Sequence, residues 1–219
     1  MASKASILLV VAATALKSLA AVAAAPPNLP SPPAAPPPCA APQSTAAFLR
    51  ARCASTLYLA TCYDSLLPYG CAFETSHVKL ARAATDVTAS RLHAPSKRVR
   101  ELAARGSGGG TAAAESLREC ARAVSSAAGL ARGTAAELTR LDAAGAAAGN
   151  SQVRWAVSNA RTWLSAAMAN EVTCADALAV GAGPAASPTA RDVVIGVARV
   201  KEHTSIALAL VNDIPLPPL

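Results

Sequence analysis

Six cysteines are the residues whose type and spacing bring most chemistry to this sequence: Cys39, Cys53, Cys62, Cys71, Cys120 and Cys174. A thiolate serves as metal ligand, nucleophile or disulfide partner according to its neighbours and compartment. No Cys-x-x-Cys pair occurs, and His77, His93 and His203 are the three imidazoles available to complete a metal site. Neither zinc nor another metal is expected on that spacing. There is no Gly-x-Ser-x-Gly elbow and no His-Glu-x-x-His. The Gly106-Ser107-Gly108-Gly109-Gly110 run lacks the Lys-Ser/Thr of a phosphate loop and follows no strand signal. His203 stands beside Glu202 without a nucleophile in its sequence context. No catalytic residue and no cofactor is expected, so the chain is read as acting by binding.

The compartment decides what the thiols do. Lys4 gives a positive start, Ile7 to Leu16 is an apolar run interrupted by Lys17, and Ala23-Ala24-Ala25 offers a small-residue cleavage site. This is the layout of a secretory signal peptide over residues 1–25, and the run is too short to span a membrane. An exported chain uses cysteines as disulfides, and six of them allow 15 connectivities. Cys53 and Cys62 would lie ~13 Å apart on opposite faces of one straight helix. A disulfide needs Cα atoms within about 7 Å, so if these two pair, the chain reverses around Ser55 to Leu59.

Beyond the leader the composition changes twice. Residues 26–43, PPNLPSPPAAPPPCAAPQ, favour extended polyproline II and read as a linker. From residue 44 onward Ala, Leu, Val, Arg and Glu dominate, and four segments carry apolar residues at helical spacing. They cover about Glu74 to Arg105, Ala112 to Leu141, Asn150 to Val180 and Ser187 to Asn212. Pro95 predicts a kink or break near Ala94 in the first. Gly106–Gly110, Gly145–Gly149 and Gly181–Pro188 separate them, and Asn150 or Ser151 can cap the third. Short connections between long amphipathic helices predict an all-α fold, an up-down-up-down four-helix bundle over residues 73–214. A short helical hairpin over residues 44–72 precedes it. Cys120 and Cys174 fall on the apolar stripes of the second and third segments, where facing neighbours approach closely enough to be linked.

These residues resemble the plant invertase/pectin methylesterase inhibitor family over roughly residues 46 to 213. Cys53-Ala54-Ser55-Thr56-Leu57-Tyr58-Leu59-Ala60-Thr61-Cys62 is similar to the family's opening Cys, Thr, Tyr-Pro, Cys pattern, with Leu59 where Pro is usual. Leu117-Arg118-Glu119-Cys120 resembles its third-cysteine segment. Trp163-Leu164-Ser165-Ala166-Ala167-Met168-Ala169-Asn170-Glu171-Val172-Thr173-Cys174 resembles its Trp-x-Ser-Ala-Ala block and fourth cysteine. The resemblance implies disulfides Cys53–Cys62 and Cys120–Cys174. It implies a hairpin ahead of a four-helix bundle, and a secreted protein of the apoplast. Cys39 and Cys71 are left to pair with each other, stay free, or bridge to another chain. The invertase branch often carries Pro-Lys-Phe between bundle helices, and that tripeptide is absent. The resemblance therefore implies a reversible 1:1 inhibitor of pectin methylesterase that covers the substrate cleft. Cell-wall or vacuolar acid invertase is the alternative target, and a structural wall glycoprotein is the alternative of another class.

Trp155 is a candidate partner contact together with Asn159 and Arg161, since Trp is enriched at binding hot spots. Trp163, ~80° away on the same helix, is given to the core. Lys79, Arg82, Arg91, Lys97, Arg98, Arg100 and Arg105 stand against Asp86 and Glu101 in the first segment. The formal net charge of the chain is +7. Such a face suits weak electrostatic binding to demethylated pectin. Nucleic acid is not expected at 3% aromatic content, nor is a membrane.

Overall fold

The computed structural model describes residues 40–105, 111–182 and 188–218. The expected signal peptide, nearly all of the linker, the Gly106–Gly110 break and residues 183–187 lie outside them. Every regular element among the described residues is helical. Helices α1 (Gln43–Cys53) and α2 (Leu59–Leu66) form the hairpin, followed by a 3-10 turn (Leu67–Tyr69) and the single turn α3 (Gly70–Phe73). Four long helices then follow: α4 (His77–Arg105), α5 (Ala112–Ala144), α6 (Asn150–Ala182) and α7 (Pro188–Asn212). Each long helix packs on its neighbour in sequence, and α4 also packs on α7, which closes the four-helix bundle.

The caps explain where the helices begin and end. Ser76 Oγ accepts from the Lys79 amide at 3.3 Å to start α4, and Thr111 Oγ1 accepts from the Ala114 amide at 3.3 Å to start α5. Side-chain oxygens there satisfy first-turn amides that have no intrahelical partner. Gly145 ends α5 at φ 51°. Glu74 adopts the same φ of 51° at the end of α3, where a side chain is strained. Neither Asn150 nor Ser151 caps α6. Asn150 is already helical, its amide reaches the Pro218 carbonyl at 3.5 Å, and the Gly149 carbonyl accepts from Val153.

Of the kink or break expected near Ala94, the break does not occur: helix α4 runs continuously through Pro95. Its buried ring faces α7 at Gly196, where an added β-carbon would lie 3.7 Å from Pro95 Cβ. Proline costs a helix interior about 3 kcal/mol. Here apolar positions buried on both sides, Leu92 and Val99, hold the helix across it.

The core falls into two clusters. One joins the hairpin to the bundle through Leu49, Leu66, Phe73, Leu80, Leu138, Leu164 and Ile206. The other, at the far end, gathers Leu92, Val99, Val124, Leu178, Val193 and Val197 around Cys120 and Cys174. Alanine fills many of the remaining buried positions in both.

The hairpin is locked to the bundle at close quarters. A β-carbon on Gly70 would fall 2.4 Å from Ala41 Cβ, so glycine allows that approach. Arg52 on α1 bonds Asp213 beyond α7 at 3.0 Å, and its guanidinium lies over the Phe48 ring at 5.9 Å. Phe48 in turn meets the His77 ring of α4 edge-on at 5.2 Å.

Candidate functional site

Both disulfides of the resemblance are present. Cys53 and Cys62 are linked with Cα atoms 5.6 Å apart, and the chain reverses between α1 and α2 to bring them together. Cys120 of α5 is linked to Cys174 of α6 across a sequence separation of 54. All four are fully buried, which makes them staples and not accessible thiols. Cys71 is also disulfide-bonded, and Cys39 lies outside the described residues.

The surface chemistry of the long helices differs from one to the next. Helices α4 and α5 wear ion pairs at three- and four-residue spacing: Arg82–Asp86, Arg98–Glu101, Arg118–Glu115, Arg122–Glu119 and Arg140–Glu137. That is the dress of a solvated helix face. Helix α6 exposes Trp155, Ser158, Thr162, Ser165, Ala169, Val172 and Thr173, all uncharged. The stripe runs ~27 Å along the helix at a rise of about 1.5 Å per residue. Trp155 is 68% exposed, and Val180 beyond the stripe is 85% exposed. An uncharged face with a projecting indole loses little on desolvation and offers a large apolar anchor, which are the properties of the centre of a binding interface.

The two ends of this face are different. Near Trp155 the C-terminal segment lies along α6, with Arg154 donating to the Pro217 carbonyl at 2.5 Å. At the other end a groove of about 480 Å³ between α5 and α6 is lined by Glu115, Glu119, Asp176 and Val180 among others. Arg118 and Arg122 hold the Glu115 carboxyl below its ordinary range there. Nothing in the groove pairs a nucleophile with a base. Among the described residues no cluster of His, Cys, Asp and Glu is arranged to hold a metal ion.

The three candidate contacts separate in space. Trp155 stands on the exposed face, Asn159 is half-buried on its flank, and Arg161 turns away to donate to the Asn212 carbonyl at 3.5 Å. Arg161 thus sits at the C-terminus of α7, where a cation complements the helix dipole. Trp163 is half-buried in the seam with α5, its ring 3.7 Å from where a β-carbon on Gly133 would be. The uncharged stripe itself was not picked out by the motifs. Its signal is the lack of Lys, Arg, Asp and Glu at the outward helical positions from Trp155 to Thr173.

Among the described residues, Glu171 and His203 are buried titratable groups. His203 has its pKa lowered by burial and by Arg91, with Glu202 opposing. Glu171 on α6 is fully buried with its pKa raised to about 7, by burial above all. Its Oε1 lies 2.6 Å from Thr204 Oγ1 on α7, and its Oε2 has no hydrogen-bond partner.

A model of the family described as plant invertase/pectin methylesterase inhibitor matches residues 47–210. The chain is 30% identical over 172 residues to pectinesterase inhibitor 10 of Arabidopsis thaliana, a match covering 78% of this chain and 52% of that protein. It thus spans about half the length of that relative. Pectinesterase inhibitor 11 of Arabidopsis thaliana is 29% identical over 168 residues, covering 75% of this chain and 79% of that protein. A 21 kDa protein of Daucus carota is 30% identical over 167 residues, with 76% and 82% covered. The fold is similar to a solved pectin methylesterase inhibitor from Arabidopsis thaliana, with TM-score 0.51, 20% identity, and 78% of this chain and 98% of that one covered. A mutant form of an Arabidopsis inhibitor gives TM-score 0.55 at 20% identity, covering 75% and 95%.

Proposed function

This chain belongs to the plant invertase/pectin methylesterase inhibitor family, and from that premise we propose that it is a secreted inhibitor of pectin methylesterase. The observation that carries the reading is the family match over residues 47–210, together with curated relatives that are themselves named pectinesterase inhibitors. The bundle does no chemistry of its own. It forms a reversible 1:1 complex in which the uncharged α6 face, anchored by Trp155, covers the substrate cleft and excludes pectin. The ion-paired surfaces of α4 and α5 support this choice of face, because burying them would strip water from many charges at once. Titrating the purified chain into a plant methylesterase, with an acid invertase in parallel, tests the proposal. Loss of methylesterase activity near equimolar chain supports it. Block of invertase alone moves the target to the family's other branch.

A weaker association with demethylated pectin is part of the same reading. Arg91, Lys97, Arg100 and Arg105 are exposed on α4 and join no ion pair among the described residues. Clustered like charge of this kind attracts polyanions, and salt screens the attraction within about 10 Å at 0.1 M. The chain is expected to be retained on immobilised polygalacturonate at low salt. Lys97→Glu together with Arg100→Glu should elute at clearly lower salt, and an unchanged elution position would remove α4 from the interaction.

A further inference from the structure

Glu171 occupies a position that a four-helix bundle normally gives to an apolar side chain. It is fully buried on α6 between Ala167 and Cys174, both of the far core cluster. Thr204 on α7 falls between Val200 and Ile206, where the core passes from one cluster to the other. An ionised carboxylate has about four lone-pair positions to satisfy. This one meets a single donor, the Thr204 hydroxyl, and leaves Oε2 without any. The same hydroxyl lies 3.2 Å from the Val200 carbonyl. A neutral Glu171 donates its own O–H to Thr204 Oγ1, and Thr204 donates on to Val200. An ionised Glu171 takes the one proton of Thr204 for itself and still leaves an oxygen bare.

We infer that Glu171 is an acid-side latch, which ties α6 to α7 as a neutral carboxyl and loosens that seam when it ionises. The charges around it are few. Helices α5 and α7 pack against α6. Lys201 on α7 acts on Glu171 and favours ionisation, more weakly than burial opposes it, and α5 contributes no charge to it. His203, one residue before Thr204, answers mainly to its own burial and to Arg91 of α4.

The direction with pH follows from proton counts. The folded group holds its proton up to about 7, against 4.5 for the free side chain. Between those values the folded chain binds more protons than the unfolded one, so stability falls as pH rises and levels off above the folded pKa. His203 works oppositely. Its lowered pKa contributes stability that is lost as pH falls below its ordinary range. A comparison in which His203 stays in place removes it from the difference.

The test is urea unfolding of the full chain at pH 4.5 and pH 7.5, for the wild type and Glu171→Gln. Glutamine keeps the shape and is neutral at both values. The wild-type unfolding constant should rise, relative to that of Glu171→Gln, on the order of 100-fold between the two pH values. Parallel behaviour of the two proteins would overturn the inference. A carbon-13 titration of the Glu171 carboxyl in the wild type needs no variant. A midpoint near neutrality supports the latch, and a midpoint in the ordinary carboxylate range refutes it.

Discussion

Replacing Cys120 and Cys174 together by alanine is expected to cost the fold about 4 kcal/mol, the chain-entropy value for a crosslink closing a loop of this size. The disulfide spans a sequence separation of 54 and joins α5 to α6 inside the far core cluster. That cluster includes Ala123, Ala127, Ala128, Ala131 and Ala167. Alanine buries little apolar area, and each methylene missing relative to a larger side chain forgoes about 0.8 kcal/mol. The larger side chains of that cluster are mainly Val, with Leu92 and Leu178, so the crosslink adds to a modest apolar core. The melting temperature should fall by roughly 10 °C in a bundle of this size. The Cys53–Cys62 link has a separation of 9, and its loss should cost about 2.5 kcal/mol by the same relation. Equal melting temperatures for wild type and the Cys120/Cys174 double variant would show that the pair is not linked in solution.

The second large effect is on binding. Trp155→Ala should weaken inhibition of a methylesterase by about 30-fold or more, since hot-spot truncations cost at least about 2 kcal/mol. The fold should be unaffected, because the side chain is 68% exposed and leaves no cavity. Leu57→Ala is the control. Leu57 is 82% exposed in the turn between α1 and α2, outside the α6 face, and its removal should leave inhibition intact. Unchanged inhibition by Trp155→Ala with loss in Leu57→Ala would transfer the interface to the hairpin.

Much of this architecture is legible in local chemistry. The four long helices follow from apolar spacing, and their ends from glycines and from Ser76 and Thr111, all of which act within a few residues. The turn between Cys53 and Cys62 follows from disulfide reach, once those two are paired. What escapes is set by contacts distant in sequence. Pro95 breaks helices on propensity, and its buried ring packs towards Gly196 of α7, a contact distant in sequence. Arg161 reads as a surface contact until the end of α7 comes beside it. Asn150 reads as a cap until Pro218 takes its amide.

Glu171 is an instructive case. Ala160, Leu164, Ala167, Glu171, Cys174 and Leu178 keep the alternating four- and three-residue spacing of a buried stripe. The carboxyl was thus legible as a core position from spacing alone. The charge conceals it, because acidic residues are almost never fully buried unless paired. Its partner Thr204 lies on another helix, 33 residues on. The uncharged face of α6 escapes for a different reason. It is defined by absence of charge at outward positions, and outward positions are known once the inward ones are fixed by packing.

Inhibition of pectin demethylation is the measurement closest to the central claim. The purified chain is titrated into a plant pectin methylesterase at fixed enzyme, and the release of methanol from pectin is followed at two pectin concentrations. The account predicts that activity falls towards zero near one inhibitor per enzyme, and that the higher pectin concentration partly restores it, because both compete for the cleft. Full methylesterase activity in the presence of excess folded chain would contradict it.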